Sequence, residues 1–153
     1  MTHNPTKTLA TLALAIQALG VMLAVVVIFM QDKLLPLYMG HTPEKKGIVF
    51  PVALLTMVVQ LVIYLVFVCA LQNRESEKNV VLCVILVVVS VLFSLASTWI
   101  ETFGVIIYSK LGAETLARYS GVTNMVSYVR QACCVPAVAL FYLACGRYTV
   151  KAE

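Results

Sequence analysis

Residues 80–108 read VVLCVILVVVSVLFSLASTWIETFGVIIY, and this stretch decides the fold. It stays apolar for longer than the about 20 residues needed to cross a hydrocarbon core of about 30 Å. Only small polar residues and one carboxylate, Glu101, interrupt it. The polar–apolar alternation of a membrane strand is missing, which leaves a helix as the way to satisfy the backbone in lipid.

Three further blocks share this character. The chain has 153 residues, 61% hydrophobic and 12% charged, where a soluble domain carries about a quarter charged residues. The apolar blocks predict transmembrane helices over about 8–30, 48–71, 80–108 and 122–146. The expected fold is therefore an all-α integral membrane protein, one domain over 1–153, built as an antiparallel bundle of four transmembrane helices. The first block has an apolar core of about 22 residues, longer than the 7–15 of a signal peptide, and is read as a retained span. The net charge of +4 is modest and its basic residues lack interleaved aromatics, which argues against nucleic acid as a partner. The expected partners are the lipid bilayer and either a second copy or another membrane protein. The expected location is the plasma membrane.

The connections are short. The segment QDKLLPLYMGHTPEKKG (31–47) holds Pro36 and Pro43, and its Leu34, Leu35, Leu37 and Tyr38 call for apolar contact at the interface. QNRESEKN (72–79) reads as a tight charged turn. The segment 109–121 has Gly112 and Gly121 at the ends of its last part, which suits a short interfacial helical turn. With four spans, Lys7, Arg74, Lys78, Arg147 and Lys151 share one side, and Lys33, Lys45, Lys46, Lys110 and Arg118 the other. This tie leaves the positive-inside rule undecided. Because the first group lies closer to the span ends, both termini are expected in the cytoplasm.

Each span carries one less oily face, repeating about every 3.5 residues as in a left-handed bundle. The third has Cys83, Ser90, Ser94, Ser97, Glu101, Gly104 and Tyr108 on one line. The first offers Ala10, Ala13, Gln17, Gly20 and Ala24. The second offers Ala53, Thr56, Gln60, Ile63 and Phe67, with Tyr64 beside them, and the fourth Ser127, Arg130, Cys134, Ala137 and Phe141. Gln17, Gln60, Ser90 and Ser94 define a polar layer near mid-membrane. Helix packing explains such stripes, and a solvated path or binding cavity is the sharper alternative.

Ionisable groups inside a membrane usually face a partner or a water-filled cavity. Glu101 lies about seven residues inside the end of its span, some 10 Å at 1.5 Å per residue. Arg130 comes out at similar depth on the neighbouring striped face, so a Glu101–Arg130 ion pair is expected. Its first role is to set helix register, since desolvation offsets much of the attraction. Its second is a charged site. Trp99, Tyr108, Tyr119 and Tyr128 read as interface anchors, and Pro136 as a kink.

Chemistry motifs are sparse. The five cysteines form no C-x-x-C and read as small apolar residues. His3 and His41 lack ligand spacing, apart from a weak pairing of His41 with Glu44, and no metal or cofactor is expected. P-loop, G-x-S-x-G and H-E-x-x-H patterns are absent from the sequence. So are the arginine–asparagine–glutamate pattern of membrane-embedded glutathione-type transferases and the C-x-x-C of thiol–quinone oxidoreductases. The chain is expected to act without catalysis, as a scaffold, accessory subunit or regulator within the bilayer. One alternative is a small oligomeric transporter or channel using Glu101, Arg130 and the polar layer. The other is an intramembrane enzyme acting on a lipid-like substrate, with Glu101, Tyr108, Tyr128 and Arg130 gathered near one surface.

Overall fold

A computed structural model describes residues 5–72 and 76–150. Of the expected turn over 72–79 only residues 73–75 lie outside what it describes, Arg74 among them, as do Lys151, His3 and the side chains of Lys78 and Cys83; Gln72 and 76–79 are helical. Among the described residues there are five helices and no strand: α1 (Pro5–Phe29), α2 (Gln31–Met39), α3 (Val52–Gln72), α4 (Ser76–Ser109) and α5 (Ala113–Val150). All but α2 are long and apolar enough to cross a membrane. That is the make-up of an integral membrane protein.

Besides the starts of α1 at Pro5 and α4 at Ser76, three departures from the expected spans matter to the packing. The second span begins at Val52 rather than 48, because Pro51 has no N–H to donate and forces the preceding residue to extended backbone. Pro51 is buried and its carbonyl accepts the Leu54 N–H at 3.1 Å. The 31–39 segment is a helix rather than a loop. It ends at Gly40, whose φ of 74° is left-handed and whose N–H reaches the Pro36 carbonyl at 2.9 Å. That conformation favours glycine, which has no Cβ to clash.

The third departure is the largest. The fourth span starts at Ala113, not 122, and Gly121 lies inside α5 instead of ending a turn. A glycine costs a helix interior only about 1 kcal/mol, and here it admits a neighbour. A Cβ at position 121 would stand 2.8 Å from Leu35 Cδ2 and 3.3 Å from Met39 Sδ, so α2 rests directly on that backbone.

The helices pack through the small faces read from the sequence. Ala10, Ala13, Gln17, Gly20, Ala24 and Ile28 of α1 are all buried. One core cluster joins Ala10 and Ala13 to Ile63, Tyr64 and Phe67 of α3 and to Ala137, Phe141 and Ala144 of α5. There Phe141 lies 4.6 Å from Tyr64 and 4.9 Å from Phe67, ring centre to ring centre. A second cluster joins Ala24 and Ile28 to Leu35, Ala53, Met57, Val122, Val126 and Cys134. Among the described residues, helix α4 touches α3 and α5 but not α1. Within α4, burial falls on Ser90, Ser97 and Gly104, one residue every seven, while Val88, Leu92, Leu95, Trp99 and Phe103 face outward.

Candidate functional site: a polar cleft between α3, α4 and α5

The seam between α4 and its neighbours is not filled. A cleft of about 360 Å³ is lined by Thr56 and Gln60 of α3, Ser94, Ser97 and Thr98 of α4, and Arg130, Gln131, Cys134, Val135 and Val138 of α5. Its floor is buried: Thr56, Gln60, Ser97 and Cys134 are each shielded from outside. Its rim is exposed: Ser94, Thr98, Gln131 and Val135 stand on the outer surface of the bundle. The position along the spans follows from counting turns. Gln60 lies two residues from the midpoint of α3, so the cleft sits near the middle of that span.

The hydroxyls on the floor are already committed. Thr56 Oγ1 donates to the Ala53 carbonyl at 2.7 Å, and Ser97 Oγ to the Ser94 carbonyl at 2.6 Å. A hydroxyl that turns back onto its own helix leaves lone pairs, not a proton, for a visitor. By contrast, among the described residues no hydrogen bond engages the side chains of Gln60, Ser94, Thr98 or Gln131. Gln60 is the notable one, since it is only 5% exposed.

Arg130 closes one end. Its Nη1 donates to Glu101 Oε1 at 2.5 Å, and both side chains are about one-fifth exposed (23% and 21%). The contact uses one nitrogen and one oxygen rather than the two-pronged geometry open to a guanidinium, so Arg130 keeps further N–H groups beside the cleft.

Two aromatic rings separate this pair from the side carrying α2. Tyr108 stacks on Tyr119 with ring centres 4.3 Å apart, and its hydroxyl donates to the Phe50 carbonyl at 3.2 Å. The Tyr119 hydroxyl presses on Gly104, where a Cβ would stand less than 2 Å from the oxygen. Only a residue without a side chain allows that approach.

The remaining predicted site residues fall around the cleft rather than in it. Gln17, midway along α1, donates through Nε2 to the Met57 carbonyl at 3.0 Å and is fully buried. It does not line the cleft. Ser90 is buried beside Tyr64, and Ser127 is half-buried without reaching the cleft. Tyr128 points outward and Trp99 is 80% exposed. Tyr108, Tyr128, Glu101 and Arg130 therefore do not converge on one point. Among the described residues no three His, Cys, Asp or Glu side chains cluster as a metal site. His41 instead contacts the Met39 carbonyl at 3.0 Å.

Sequence reasoning missed Thr98 and Gln131 on the rim and a second polar cluster near α2. Arg118, counted as a loop charge, lies inside α5 and is only 4% exposed. Its Nε donates to Gln31 Oε1 at 3.1 Å, its Nη1 to the Lys45 carbonyl at 2.7 Å, and its Nη2 pairs with Asp32. Gln31 in turn accepts the Val49 N–H at 3.2 Å and donates to the Ile28 carbonyl at 2.8 Å. The cluster satisfies its buried charge internally and acts as a clasp. A signal for it existed: Gln31 and Leu35 continue the three–four spacing of Ala24 and Ile28.

Compared with protein-family models, curated proteins and solved structures, the chain matches none. The cleft must be interpreted on its own chemistry.

Proposed function

We propose that this protein is a non-catalytic accessory subunit or regulator of the bilayer, an antiparallel bundle of four spans whose α3–α4–α5 cleft is its point of engagement. The rim carries this reading. Ser94, Thr98 and Gln131 stand together on the outside of α4 and α5 with no side-chain hydrogen bond among the described residues, beside exposed apolar side chains such as Val91, Leu95, Val135 and Tyr142. Lipid tails cannot hydrogen-bond, so such groups at mid-span depth call for a partner that can. A second copy, another membrane protein or a lipid-like molecule would each meet that need. The test is a photo-crosslinker placed at Gln131 and, as control, at Leu12 on the outer face of α1. A discrete adduct at 131 but not at 12 is expected. Equal capture at both positions would overturn the reading.

A transporter is the second reading, favoured by the polar volume itself and by Arg130 at its end. It calls for proton-coupled flux in liposomes that Glu101→Gln abolishes. We further propose cytoplasmic termini in the plasma membrane. Arg118 is buried in α5 rather than free in a loop, which leaves four cations on the α2 side against five on the other and supports this orientation.

A further inference from the structure

We infer that the cleft holds the head of an uncharged amphiphile that enters sideways from the bilayer between α4 and α5, its carbonyl or hydroxyl oxygens meeting Gln60 and Arg130. The inference rests on the cleft being the point of engagement and adds the chemistry of what engages it.

Three observations select this class. The first is Gln60, a residue only 5% exposed that lines the cleft and whose amide has no hydrogen bond among the described residues. In lipid an amide facing the cleft finds no partner in the acyl chains, and an unmet polar group costs about 1–3 kcal/mol when buried, so a ligand that pairs it recovers part of that term. The second is the charge count. Arg130 is already neutralised by Glu101 at 2.5 Å, and Glu101 does not line the cleft. The cleft is thus rich in hydrogen-bonding groups without a net charge to offer. An anionic head would bring an uncompensated charge to mid-bilayer depth, where a single charge costs about 2.5–3.5 kcal/mol on insertion scales. An ester, amide or alcohol head brings none.

The third observation is the direction of access. The rim residues Ser94, Thr98, Gln131 and Val135 face outward, whereas the stacked Tyr108 and Tyr119 lie between Glu101 and the α2 side. A molecule reaching this rim arrives through lipid and must carry its own apolar part. Val135 and Val138 line the same cleft and suit the first methylenes below a polar head. The volume of about 360 Å³ lies at the small end of ordinary ligand sites. It fits a head and the start of a tail, with the rest of the tail left among the lipids.

The experiment uses the full chain in phosphatidylcholine nanodiscs with photoactivatable diacylglycerol, compared with photoactivatable phosphatidylglycerol. Diacylglycerol should label residues around Thr98, Gln131 and Val135 in preference to the anionic lipid. Gln60→Leu should lower that labelling about tenfold, the equivalent of one buried hydrogen bond, with helix content unchanged. Should Gln60→Leu fail to fold, Thr98→Val at the exposed rim gives the same comparison. Equal or stronger labelling by phosphatidylglycerol, or labelling indifferent to both substitutions, would overturn the inference. Loss of label to the water-soluble neutral ester triacetin would overturn sideways entry. If lipid labelling is absent but the Gln131 crosslinker captures a protein, the ligand class fails and the cleft's role stands. If the crosslinker also captures nothing distinct from the Leu12 control, both fail.

Discussion

Glu101 and Arg130 meet through a single contact, and the consequences of losing either are unequal to losing both. Removing one partner leaves a partly buried charge uncompensated, which costs about 3–5 kcal/mol for a fully buried pair and less for groups one-fifth exposed. Arg130→Gln and Glu101→Gln alone should each lower the melting temperature in detergent. The exchanged pair Glu101→Arg with Arg130→Glu should recover most of that loss if register is its main role. Failure of recovery, with each single variant well folded, would mark the pair as part of the engaging surface. Gly104 has a sharper expectation. Gly104→Val would drive a branched side chain into the Tyr119 hydroxyl and Val52, and overpacking of this kind costs about 1–3 kcal/mol. Gly47→Ala adds a Cβ that would meet no atom within 4 Å and should leave the melting temperature unchanged.

At the scale of elements, the clasp between α2 and α5 governs how the 40–51 connection is held. Arg118 joins Gln31, Asp32 and the Lys45 carbonyl, so one side chain ties three segments of backbone. Arg118→Met keeps the length but removes every one of these bonds. At about 1.5–3 kcal/mol for a hydrogen bond to a charged group, discounted because Asp32 is half-exposed, it should expose the 40–51 segment to protease while the spans stay intact. Unaltered cleavage would show that apolar contact of Leu35 with α5 suffices.

The spans and their inward faces were legible in the sequence because lipid imposes two strong constraints, length and the seven-residue recurrence of small residues. Gln31, Leu35 and Arg118 were not, for a physical reason. Near the membrane surface a charged residue is affordable either in water or in a buried cluster, and local pattern does not separate the two. Gly121 misled for a related reason, since a glycine admitted for close packing and one that ends a helix look alike until the neighbour is known. The cleft itself was half legible. Gln60, Ser94, Ser97 and Arg130 were read from their stripes, whereas Thr98 and Gln131 sit one position off those stripes and emerge only when the helices are rotated into place.

The whole molecule divides unequally. Helices α1, α3 and α5 share both core clusters, whereas α4 contributes no residue to the buried set of either. At 1.5 Å per residue α4 is also about 51 Å long, against about 31 Å for α3, so it extends past its neighbour. Amide exchange should therefore be faster along α4 than along α1. Equal protection in the two would mean that something outside this chain holds α4 down.

That unequal division gives the protein a mechanical asymmetry. The buried positions of α4 are serines and a glycine, side chains with few atoms to grip, so the Glu101–Arg130 pair and the Tyr108–Tyr119 stack near one end are the specific ties that hold α4 to α5. Swinging α4 outward would therefore deform the seam and leave the three-helix post undisturbed. Such a swing would be that of a leaf latched at Glu101 and Tyr108, with the cleft as the gap behind it.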